Sequence, residues 1–129
     1  MKLVKAHNAG KPSEQRTSTF TGTVWADVVL PESDGTTVNN VFFAPCSRTY
    51  WHFHERGQLL HVVSGRGLIC SEGEEPEVLE VGDTVWIPPG EKHWHGGGPD
   101  STLLHIAISL GTTTWLDEVP DEVYNQASS

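Results

Sequence analysis

Glycine and proline break this chain about every 8–12 residues, and that spacing constrains its fold more than any other feature. Between the breaks lie short runs rich in Val, Ile, Thr and aromatic residues, which suit extended strands. Strands are expected at 2–6, 20–30, 37–44, 48–54, 58–63, 68–71, 78–81, 84–87 and 102–110. The punctuation reads as turns: 31–35, a tight hairpin at 64–67, Gly82-Asp83 and 87–90. Residues 8–19 and the glycine run 96–99 read as loops. Apolar residues at Trp115, Val119 and Val123 have helical spacing, so a short C-terminal helix is expected over 115–124, with 127–129 frayed. Many short strands joined by turns define an all-β class, a sandwich or a small barrel with room inside for one small ligand.

The length, 129 residues, suits one domain spanning 1–129, large enough to bury a core without staples. A formal net charge of −9 argues against nucleic acid and against an anionic membrane surface as partners. No apolar run is long enough for a signal peptide or a membrane span. Two cysteines, Cys46 and Cys70, are too few for a disulfide framework and form no C-x-x-C pair. The expectation is a soluble cytoplasmic protein with free, buried thiols.

Chemistry concentrates in the histidines, six of whose seven lie between residues 52 and 105. His52 and His54 are two apart on an expected strand, which places both imidazoles on one face. Gly57 permits a sharp turn that delivers Gln58, whose amide oxygen is a further candidate ligand. His93 follows the turn at 87–90. These four, His52, His54, Gln58 and His93, are the candidate ligands of a single cation at the bottom of a pocket. Imidazole nitrogen with one amide oxygen suits a divalent transition metal: Mn, Fe, Co, Ni or Zn.

His95 lies two residues beyond His93, on the same strand face, as either a contact to ligands or substrate or a polar rim residue. His105 shares a strand face with the small residues Ala107 and Ser109, which leaves space for a substrate beside it. It is a candidate general base, with a buried hydrogen-bonded His as the alternative. His61 falls out of phase with Gln58 and is expected to face away; His7 carries no chemical expectation. Tyr50, Trp86 and Trp94 read as core or pocket wall.

The motifs resemble the cupin superfamily. The first cupin motif stands here as His52-Phe-His54, Gln58 and Gly65, and the second as Gly82-Asp83, Pro88-Pro89-Gly90 and His93. The resemblance implies a double-stranded β-helix, the jelly-roll barrel. A narrower resemblance is to manganese-dependent, cupin-type hydroxynitrile lyases, carried by Phe20-Thr-Gly-Thr-Val24, Arg48-Thr49, Trp51-His52, Gly57-Gln58, the stretch from Pro89 to Gly96, and His105-x-Ala-Ile108. It implies metal ligands at His52, His54, Gln58 and His93, Mn as the favoured ion, an acid/base role for His105, and a homodimer or higher homo-oligomer. Most metal cupins place Glu where Gln58 stands. A neutral amide leaves a divalent ion its full charge, which favours polarising a substrate oxygen over giving up an electron.

Three functions compete at this stage. In the first, the metal polarises a small hydroxy or carbonyl compound while a histidine moves a proton, and a C–C or C–O bond breaks or forms. Cyanohydrin cleavage is the example the resemblance supplies. In the second, Fe or Mn is the redox centre of a small-molecule dioxygenase. In the third, the metal is structural and the barrel binds a small molecule without turnover.

Overall fold

The computed structural model describes residues 1–5 and 12–128. Residues 2–5 are not in a strand; residue 6, His7, the start of the expected polar loop and Ser129 lie outside the described residues. Among the described residues thirteen strands are followed by one helix: β1 Glu14–Gln15, β2 Phe20–Thr21, β3 Val24–Ser33, β4 Thr36–Phe43, β5 Arg48–Thr49, β6 His52–His54, β7 Gln58–Gly65, β8 Gly67–Ser71, β9 Glu77–Leu79, β10 Thr84–Ile87, β11 His93–Gly97, β12 Leu103–Leu110, β13 Thr113–Trp115 and α1 Asp121–Ser128. One sheet has the order β1-β3-β4-β12-β7-β10. The other runs β13-β6-β11-β5-β2, with β8 and β9 attached beside β11. The two sheets make the expected double-stranded β-helix.

Alternation explains the layering. Along β12 the residues Leu103, His105, Ala107 and Ser109 are buried, while Leu104, Ile106, Ile108 and Leu110 face outward and are half-buried. The same period in β3, β4 and β7 directs Val24, Ala26, Val41, Phe43, Leu60 and Val62 into the core between the sheets. A second cluster, Leu68, Trp94, Val119 and Tyr124, lies on the far side of β11. It fastens the C-terminal segment to the strand that carries His93 and His95. The buried Arg48 guanidinium donates to the Val119 carbonyl at 2.8 and 3.2 Å, and the Tyr124 hydroxyl donates to the Gly97 carbonyl at 2.8 Å.

Several expectations are corrected. The stretch 64–67 is a crossing between sheets, since β7 pairs with β12 and β10 whereas β8 pairs with β11 and β9. The segment 48–54 is two strands, because the Tyr50 and Trp51 amides bond to the carbonyls of Thr19 and Asp117. The segment 20–30 divides at Gly22 (φ +87°), where a Cβ would strike the Ser47 side chain. Gly96 and Gly97 belong to β11 and not to a loop; a Cβ on Gly96 would run into the Ser47 carbonyl and Arg48. The expected polar loop contains β1, and β13 follows the expected last strand. The helix begins only after Pro120, whose ring and missing N–H bar it from a helix interior. Trp115 is needed instead in β13, opposite His52. The buried-thiol expectation fails at Cys46, which is exposed in a turn, and Cys70 is partly buried. Trp94 is fully buried, but Trp86 is 53% exposed. No helix among the described residues is long and apolar enough to cross a membrane.

Candidate metal centre and active site

The two sheets bring their histidines to one end of the barrel interior. β6 supplies His52 and His54, both buried on one face. β11 lies antiparallel beside it with His93 directly opposite His52, and the same two-residue period adds His95. Gly57 (φ +98°) turns the chain from β6 into β7, packed so closely that a Cβ would meet the Trp86 ring and the Ile87 carbonyl. Gln58 therefore enters β7 inward-facing and buried, between Ile87 of β10 and Ser109 of β12. His105, also on β12, completes the group.

The rings are close. Centroids of His52 and His93 are 4.2 Å apart, His52 and His54 5.0 Å, His52 and His95 5.4 Å, and His54 and His93 5.7 Å. His93 and His95 stack at 5.6 Å with an 18° interplanar angle. Ring nitrogens of His52, His93 and His95 all lie within 4.8 Å of one another, a grouping that can hold a metal ion. Gln58 Oε1 is 3.2 Å from His93 Nε2. The structure thus places His52, His54, Gln58 and His93 near one another, while the grouping within 4.8 Å takes in His95 and not His54.

Outer contacts aim these rings. His52 Nδ1 donates to the Tyr50 carbonyl and His93 Nδ1 to the Glu91 carbonyl, each at 2.9 Å. A carbonyl only accepts, so these bonds place the proton on Nδ1 and leave Nε2 as a lone pair in the neutral ring. The Thr113 hydroxyl lies 3.0 Å from His54 Nδ1. His54 Nε2 and His95 Nε2 are buried and without a partner among the described residues. Buried polar atoms are normally satisfied, so inward-facing orphan nitrogens fit a cation.

Burial also keeps the rings neutral. It holds His52 and His95 well below the usual imidazole range, helped by His93 beside His52 and by His105 beside His95. His54 is lowered to about 4, chiefly by burial and then by His93, and burial lowers His93 too. His105, enclosed by the barrel wall, is lowered to about 4 by burial. Neutral imidazoles are the form that binds metal.

A cavity of about 520 Å³ opens over this floor, within the range of small-ligand pockets. His52, His54, Gln58, His95 and His105 line its base; Ala26, Val41 and Ala107 line one wall and Phe20 and Trp115 another. Phe20 and Trp115 are 5.3 Å apart, and Trp115 lies 4.6 Å from the His52 ring. None of the lining residues is acidic, and with the imidazoles neutral Arg16 is the one cationic side chain among them. His61 points outward, bonded to the Thr84 hydroxyl, and Tyr50 turns its hydroxyl toward Glu118. Sequence reasoning missed Thr113, Trp115 and the contacts Ser109 makes. Their signal is cross-strand pairing, Thr113 opposite His54 and Trp115 opposite His52, which no local pattern displays.

Residues 40–106 match the cupin domain family. The chain is a cupin. It is 41% identical over 113 residues to an (R)-mandelonitrile lyase from Granulicella tundricola, a match covering 83% of this chain and 86% of that protein. It is 38% identical to a cupin-like protein of known structure from Thermotoga maritima, with a TM-score of 0.88 over 92% of this chain and 96% of the other. An acireductone dioxygenase from Picosynechococcus sp. is 31% identical over 68 residues, half of this cupin and 39% of the relative. A cupin fold with a buried three-histidine cluster indicates a divalent metal site, and both curated relatives are enzymes.

Proposed function

We propose that this cupin is a metal-dependent lyase that cleaves and forms small hydroxynitriles. The observation that carries the reading is the His95–His105 contact, which joins one imidazole of the metal-competent cluster to a second histidine at the base of the cavity. In this reading His52, His54, Gln58 and His93 hold the ion, with Mn favoured, and the ion, when bound, supplies Lewis acidity toward the substrate oxygen.

The chain's own groups handle the proton and the orientation. His105 Nε2 lies 3.0 Å from His95 Nδ1, so one proton is held between two rings that cannot both be charged cheaply. A neutral imidazole here accepts the hydroxyl proton of a cyanohydrin as the bond between the carbinol carbon and the nitrile carbon breaks. The hydroxyl carbon becomes an aldehyde, the electron pair leaves with cyanide, and the pair of histidines returns the proton to give hydrogen cyanide. No electron acceptor is required. Phe20 and Trp115, tilted 57° to one another, provide an apolar wall for the rest of the substrate.

The dioxygenase relative supports a second reading, in which a redox-active ion takes part in oxygen chemistry. One assay separates the two. Metal content is measured on the purified protein, and aldehyde release from mandelonitrile is then followed with and without oxygen. Equal anaerobic and aerobic rates support the lyase; strict oxygen dependence with every substrate turned over overturns it.

A further inference from the structure

The Gln58 carboxamide has one orientation suited to a cation and another suited to an empty site, and Ser109 can partner both. Gln58 and Ser109 are cross-strand neighbours, 4% and 8% exposed. Gln58 Nε2 donates to Ser109 Oγ at 3.0 Å, and this turns Oε1 toward His93 Nε2 at 3.2 Å. Because His93 Nδ1 donates to the Glu91 carbonyl, the neutral His93 ring offers Nε2 as an acceptor. Two acceptors then face each other with no proton between them. A cation shared by both resolves that contact. Without one, rotating the amide by half a turn resolves it: Nε2 donates to His93, and Oε1 accepts a hydrogen bond. A hydroxyl is the side-chain group that can accept in the first arrangement and donate in the second.

We propose that Ser109 is a positioning residue for the metal site, whose hydroxyl reverses its hydrogen-bond role as the Gln58 amide flips on metal loading. This rests on Gln58 being a ligand. Alanine at 109 would strand the amide N–H₂ when the oxygen faces the cation and the amide oxygen when it faces away; a buried N–H without an acceptor is the less tolerated of the two, so alanine would oppose loading. A Glu at 58 presents oxygen in either orientation, and the selectivity of the effect should vanish.

The test is metal affinity, measured with Zn²⁺ and Mn²⁺ against a chromophoric chelator, on S109A, S109T, Q58E and Q58E/S109A, with Q58L as control. The expected result is a loss of about tenfold for S109A in the Gln58 background, recovery by S109T, and a change of less than about twofold for S109A in the Q58E background. Equal losses in both backgrounds, or none, overturn the role of Ser109. If Q58L binds metal as tightly as the unaltered protein, the ligand reading of Gln58 falls and this inference falls with it. None of these measurements depends on turnover, so they stand apart from the lyase assay.

Discussion

His105 Nε2 sits 3.0 Å from His95 Nδ1, while His95 Nε2 and His105 Nδ1 at the two outer ends have no partner among the described residues. Moving the shared proton from one ring to the other, while one outer nitrogen gains a proton and the other releases one, reverses which outer nitrogen is a lone pair. With the proton on His95 Nδ1, His95 Nε2 is free to meet a cation or a substrate proton. With it on His105 Nε2, His95 carries N–H toward the cavity. A proton taken up on one side of the pair can therefore be matched by a hop within it.

Replacing His105 should separate proton handling from metal holding. His105→Gln keeps a polar side chain on β12 and touches none of the proposed ligands except through His95. Turnover should fall by about 10²–10⁴-fold, the usual contribution of a positioned acid or base. Metal content, measured by elemental analysis, should stay at the unaltered level. Full activity in this variant would remove His105 from the mechanism.

The metal-free protein should lose stability in mild acid. Burial depresses the folded pKa of His52, His54, His93, His95 and His105 below the ordinary 6.5. Above 6.5 the folded and unfolded chains are both neutral at these rings, and the stability is fully present. As pH falls from 6.5 toward 4, the unfolded chain takes up protons that the folded chain refuses, and stability drains away. His105 alone, lowered to about 4, accounts for about 3 kcal/mol by the end of that window. Urea denaturation of the metal-free protein at pH 7.5 and at pH 5 checks this; equal midpoints would contradict it.

How far the sequence carries this account depends on whether a feature is local. Strand period is local, so the inward set Leu103, His105, Ala107 and Ser109 can be read directly, as can the shared face of His52 and His54. Register is not local. Nothing near Thr113 or Trp115 announces that they will lie against His54 and His52, and the helical spacing of 115, 119 and 123 points the wrong way. Gly96 and Gly97 look like loop because what they accommodate, the Ser47 and Ala44 carbonyls, is some fifty residues earlier. His95 shows the same limit: its spacing from His93 gives its face, but only the packing of β11 against β6 puts its ring beside His52.

A carboxylate at position 58 should weaken the Lewis acid while tightening the grip on it. Gln58 is buried against His93 and contributes no charge. Gln58→Glu would cancel one unit of the ion's charge at close range, reducing its pull on a substrate oxygen. Metal affinity should rise, and turnover at saturating metal should fall by about tenfold or more. Undiminished turnover with full metal occupancy would show that the neutral amide is not what tunes the site.

The outer face of the six-stranded sheet should pair with a second copy of the chain. Cross-strand register lines up Trp25, Phe42 and Leu104 in one row and Val38, Ile108, Leu59 and Trp86 in another, with Ile106 between them. Trp25 is 39% exposed and Trp86 53%, an apolar extent that a monomer rarely leaves in water. A self-complementary face of this kind favours a two-fold dimer, and a stable one would cover about 1,200–2,000 Å² in total. Light scattering on the eluting protein should give twice the chain mass. Ile106→Lys, which sets a charge in the centre of the face, should shift the population to monomer without disturbing the inward residues of β12. A monomeric unaltered protein at tens of micromolar would leave this face without a partner of its own kind.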